Sequence, residues 1–114
     1  MKELGISHFN YNSNTFTQGE RIYKVTDLIK VAEKYDTFDL PLMGIDLGVH
    51  PWGEIDIKDF AYHMKRINEA DMQYPIILDD TGYICDGWHR LVKAIMNNQN
   101  TIKAIRLTVM PEPI

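Results

Sequence analysis

The chain is short of several things at once. It has a single cysteine, Cys85, in 114 residues. No disulfide can form within it, which points to a reducing, cytoplasmic setting. No apolar run approaches the ~18 residues of a membrane span, and the opening MKELGISHFN lacks the apolar core of a secretion signal. Long basic runs are missing too. Lys65-Arg66 is the longest, and 12 Lys and Arg against 16 Asp and Glu leave a net charge of −4. A protein that grips duplex DNA alone usually presents a basic face, so the balance argues against that class. It leaves room for a small anion held by local cations such as Arg90, Lys93, Lys103 and Arg106. His8, His50, His63 and His89 have no zinc-like spacing, which argues against a structural zinc site.

What is present suits one packed domain. Hydrophobic residues make up 45% and charged residues 25%, enough for a core without staples. Residues 1–20, rich in Asn and Thr, read as a polar arm with a short strand near Phe9. Phe9, Tyr11 and Phe16 in that arm could anchor on a protein partner or a second subunit. Residues 21–110 read as the domain and 111–114 as a tail. RIYKV at 21–25 alternates like a strand. Thr26 fits the N-cap of a helix over 27–35. Residues 38–47 look extended, and Pro41 means that the strand is an edge or starts after it.

Asp56 caps a second helix running to about Ala70, with Ile57, Phe60, Met64 and Ile67 as its apolar stripe and Lys58, Lys65, Arg66 and Glu69 as its wet face. The all-apolar PIIL at 75–78 reads as a strand covered on both faces. DDTG is a turn, and YIC returns to complete a hairpin. A third helix spans 88–97, with a last strand over 101–110. The expected fold is α+β, a small mixed β-sheet packed with about three helices.

The chemistry concentrates at Asp86-Gly87-Trp88-His89-Arg90. Asp86 has the character of an N-cap for the third helix, and Gly87 leaves amides uncovered. His89 and Arg90 fall in the first turn, and Lys93 lies near the same face. Cations there oppose the helix dipole, so their presence suggests an anion such as phosphate, with Arg90 gripping it in bidentate fashion. The plainer reading is that Asp86 caps the helix, Trp88 packs on the sheet, and Arg90 pairs with Asp79 or Asp80.

The run from PIIL through the turn to D-G-x-H-R-L-x-x-A resembles the ParB/sulfiredoxin superfamily, over residues 23–107 and most closely over 75–95. The resemblance implies that fold, with nucleotide phosphates held at the helix mouth. Members include CTP-binding partition proteins, ATP-using sulfiredoxins and nuclease-like proteins. Gly87 and Arg90 match the G-E-R-R of ParB, and His89-Arg90 match the G-C-H-R of sulfiredoxins. Trp88 stands where those families have glutamate or cysteine and supplies neither carboxylate nor thiol. The shared part is the phosphate-holding set Gly87, His89 and Arg90.

The expectation is therefore a domain that binds a nucleotide or nucleic-acid phosphate through Gly87, His89, Arg90 and Lys93. His89 and Asp86 would be its acid/base candidates. If it is catalytic, phosphoryl transfer or phosphodiester hydrolysis is the reaction class. Magnesium could arrive with ATP or CTP, with Asp86 the best-placed carboxylate and Asp79-Asp80 nearby. Trp52, in the loop GVHPWG, could stack on a base, although such a tryptophan is more often packing. His63 reads as structural. The competing readings are a non-catalytic protein-interaction domain of accessory or phage type, and direct DNA binding, which would be strongly salt-dependent.

Overall fold

The computed structural model describes residues 14–114. The expected strand near Phe9 and the anchors Phe9 and Tyr11 lie outside these residues. Where a loose arm was expected, Thr15–Gln18 (β1) pairs antiparallel with Arg21–Lys24 (β2). Phe16, from that arm, packs half-buried on the core. The first helix, α1, spans Val25–Ala32, starting ahead of the expected Thr26 cap. Lys24 is the cap residue, and the Val25 amide donates to Asn14 O at 3.1 Å, so backbone beside the hairpin replaces the threonine hydroxyl.

Among the described residues Phe38–Pro41 (β3) is an edge strand, paired only with the last strand, which suits Pro41. A 3-10 turn at Leu42–Gly44 then ends the extended stretch earlier than the sequence suggested. Helix α2, Ile57–Glu69, starts where expected, with Asp56 accepting the Asp59 amide. Ile76–Leu78 (β4) and Ile84–Asp86 (β5) form the hairpin. Helix α3 is Trp88–Met96, and β6 is Thr101–Arg106. Beyond β6, the amides of Thr108 and Val109 donate to the Tyr35 hydroxyl, so a side chain takes over from the ladder.

The main sheet runs β3-β6-β4-β5, with β4 parallel to β6 and the other pairs antiparallel. With its three helices and the β1-β2 hairpin, the fold is α+β with a mixed sheet. Each sheet face is covered. Ile77, Ile105 and Leu107 pack with Tyr23, Val25, Leu28 and Ala32 from β2 and α1. Ile76, Leu78, Ile102 and Ala104 pack with Leu91 and Ala94 of α3. Alternate residues of PIIL thus feed different cores, which is why the run carries no polar residue. At nine residues α3 is too short to persist alone. The burial of Leu91 and Ala94 holds it in place.

The stripe expected on α2 is buried only in part. Ile67 is 3% exposed, but Ile57 is 84% and Phe60 54% exposed. The reason is that α3 runs alongside the second half of α2 only, with His89 at His63 and Lys93 at Asn68 and Ala70. Helix α2 has 13 residues against nine in α3, about 6 Å longer at 1.5 Å per residue. His89, in the first turn of α3, meets His63 midway along α2, so the first turns of α2 overhang the helix below. Among the described residues no helix is long and apolar enough to cross a membrane.

Candidate functional site

Gly87, rather than Asp86, caps α3. Its φ of 110° lies in the left-handed region, and no side chain caps the helix. A Cβ at this position would sit 2.6 Å from Ile76 Cγ2 and 3.0 Å from Arg90 Nη2, so only glycine lets the strand turn into the helix so close to the sheet. Asp86 stays in β5, opposite Ile77. Its Oδ2 accepts from Arg90 Nη2 at 2.8 Å, and the same nitrogen donates to Pro75 O at 3.1 Å. The two side chains are only 14% and 16% exposed. Arg90 does pair with a carboxylate, as the plainer reading held, but the partner is Asp86. That partner explains how a cation is tolerated in the first helical turn.

One residue before Arg90, His89 meets His63. His63 Nδ1 and His89 Nε2 lie 2.8 Å apart, one ring donating and the other accepting. The rings are 22° from coplanar with centroids 5.1 Å apart. That spacing is what two imidazoles joined nitrogen to nitrogen in one plane would give, so they meet edge to edge. Trp52 covers the pair face-on, 4.0 Å from His63 and 4.9 Å from His89 between centroids, at 16° and 18°. Burial pulls the His89 pKa down to about 4, helped by the positive potential of His63, Arg66 and Arg90. Burial also lowers His63, against the pull of Asp59. At neutral pH His89 is therefore neutral, and one ring N–H between the two facing nitrogens makes the bond.

His89 and Trp52 border a cleft of about 590 Å³. Gly87, Trp88, His89 and Arg90 form one wall, Arg66 and Glu69 of α2 another, and Val49 to Trp52 a third. The fourth wall is β1 with its flanking Asn14, a segment the sequence suggested was a loose arm. Trp88, whose direction the sequence left open, borders the cleft and also packs against the α3 core.

Two other sequence candidates lie in different settings. Lys93 Nζ donates to Asn68 O at 2.9 Å and Ala70 O at 3.0 Å, closing the end of α2 rather than facing the cleft. Asp79, 1% exposed, organises the hairpin turn: its Oδ1 accepts from the amides of Thr81 and Tyr83 and from the Thr81 hydroxyl, and its Oδ2 from Gln18. Asp80 also accepts from Gln18. No cluster of three or more His, Cys, Asp or Glu able to hold a metal occurs among the described residues. Cys85 is buried, its thiol donating to Ile77 O and pushed up to about 12, chiefly by burial. It behaves as a small core residue.

Sequence reasoning did not foresee the contact of His63 with His89, Arg66 at the cleft or the β1 wall. The one signal available was spacing: His63 and Arg66 stand three apart on α2 and so share a face. No protein-family model, curated protein or solved structure matches the chain.

Proposed function

We propose that the chain binds a nucleotide or a nucleic-acid phosphate in the cleft at the start of α3. The observation that carries this reading is the pair of arginines, Arg66 and Arg90, bordering a cleft of about 590 Å³ into which an uncapped helix start opens. Cavities of this size suit small ligands. The early α3 amides and two guanidinium groups suit an anion. Asp86 holds Arg90 Nη2, so Arg90 offers phosphate its remaining outer nitrogen, and Arg66 supplies the second charge. The ParB/sulfiredoxin-like pattern at Gly87, His89 and Arg90 supports the same reading.

A magnesium ion brought by ATP or CTP would find Asp86 at the cleft, with Oδ1 as the oxygen not held by Arg90. That suits a metal bound mainly through substrate phosphates. His89, held neutral with its pKa near 4, is a weak base, so its part at the phosphate is to hydrogen-bond it rather than to carry a proton. The reaction this would serve is phosphodiester hydrolysis or phosphoryl transfer. The reading places the protein in the cytoplasm, where nucleotides are abundant.

A thermal-shift comparison of wild type and Arg66→Gln tests it, using ATP, ADP, CTP, GTP and a short oligonucleotide with and without magnesium. A ligand at 100 times its Kd stabilises by about 2.7 kcal/mol, a shift of several degrees at this size. The reading expects such a shift for at least one ligand and a smaller one in Arg66→Gln. No shift with any of them rejects it.

One observation favours a second reading, a protein-interaction domain: the overhanging turns of α2 hold Ile57 and Phe60 in solvent. Under that reading Phe60→Ser abolishes a stable protein complex, while Arg66→Gln leaves it intact.

A further inference from the structure

We propose that the plane formed by His63 and His89 is the seat of a nucleobase or similar flat heterocycle, and that Trp52 plugs it in the ligand-free protein. The proposal deepens the phosphate reading and rests on it for where the ligand's charge goes.

The seat is flat because a hydrogen bond joins the rings edge to edge, giving an aromatic surface about as wide as a purine. The indole lies parallel to both rings, the arrangement a stacked base would adopt. His89 and Trp52 border the cleft and His63 does not, since the indole lies across it. Displacing Trp52 would extend the cleft onto the histidine pair.

Trp52 also has the properties of a removable cover. Trp88 packs against an apolar core cluster, whereas Trp52 belongs to neither cluster and rests on polar rings. Its loop is irregular backbone, turned by Gly53 at φ 63° and closed by a bond from the Gly53 amide to His50 O at 3.1 Å. Exchanging indole for a base replaces one stack with another and leaves the core intact.

Charge sits where such a ligand needs it. Arg66 follows His63 by three residues on one helix face, and Arg90 directly follows His89. Both border the cleft. A ligand with its ring on the histidine plane would direct its phosphates between the two arginines.

Calorimetric titration of wild type and Trp52→Ala with ATP and with inorganic tripolyphosphate tests the proposal. Removing the plug should tighten ATP about tenfold, the scale of one base–aromatic stack, and leave tripolyphosphate unchanged. An unchanged ratio of ATP to tripolyphosphate affinity would remove the base seat while leaving the phosphate site standing. Weaker ATP binding in Trp52→Ala would make the indole itself the stacking partner and overturn the proposal. Binding of neither ligand to either protein would sink both readings. Should Trp52→Ala not fold, NMR of the wild type decides. ATP, but not tripolyphosphate, must move the Trp52 indole N–H and the Hε1 signals of His63 and His89, and silence there overturns the proposal.

Discussion

His63 Nδ1 and His89 Nε2 face each other across 2.8 Å, one from the middle of α2 and the other from the first turn of α3. This bond ties the two helices together where the cleft opens. It needs one donor and one acceptor, so it survives with both rings neutral and is lost when both are protonated. The burial that holds His89 near 4 therefore also keeps the bridge intact at neutral pH.

A pH dependence of stability follows. His89 in the unfolded chain takes a proton near 6.5, and in the folded protein only near 4. Between those values the unfolded state binds more protons, so stability is full above pH 6.5 and falls as pH drops towards 4. Urea midpoints at pH 7, 6 and 5, where most carboxylates stay ionised, should fall in wild type and fall less steeply in His89→Gln, where the lowered His63 still contributes. Equal slopes in both would contradict the role given to burial.

Gly87→Ala should be costly. The residue combines φ of 110° with a Cβ position 2.6 Å from Ile76 Cγ2. Left-handed strain and overpacking together predict a loss of about 2–4 kcal/mol, read as a lower denaturation midpoint. A loss below about 1 kcal/mol would mean the strand-to-helix turn can relax.

Asp79→Ala and Asp80→Ala should differ sharply. Asp79 Oδ1 satisfies two amides and a hydroxyl inside the turn, whereas Asp80 is exposed. Losing Asp79 should cost about 2–3 kcal/mol because its donors are left unpaired, and losing Asp80 under about 1 kcal/mol. Hydrogen exchange at Thr81 and Tyr83 should accelerate only in Asp79→Ala.

Lys93→Met separates helix closure from ligand binding. Lys93 bonds the Asn68 and Ala70 carbonyls, so its loss should cost about 1–2 kcal/mol and leave nucleotide affinity unchanged. A drop in affinity with unchanged stability would return Lys93 to the phosphate site.

How much was legible in the sequence follows from physical range. The PIIL strand, the Asp56 cap and the Gly87 turn were readable because each depends on neighbours close in the chain. Asp86 was misplaced as a cap because its partner choice, Arg90 over the helix amides, depends on a glycine conformation that residue type alone does not fix. How much of the α2 stripe is buried was not legible because amphipathic spacing says nothing about how far the helix beneath it extends. His63 was read as structural, and it does tie α2 to α3; its partner was not legible because His89 lies 26 residues away, a contact that exists only once the two helices pack. The polar composition of β1 hid a strand that builds one wall of the cleft.

The account stands most directly on the cleft at the start of α3 as a phosphate site. Amide chemical-shift mapping of the ¹⁵N-labelled protein with magnesium–ATP tests it in one titration. The account predicts saturable shifts centred on Gly87, Trp88, His89 and Arg66, with little change on the overhanging turns of α2. No saturable shifts, or shifts centred on Ile57 and Phe60, would contradict it.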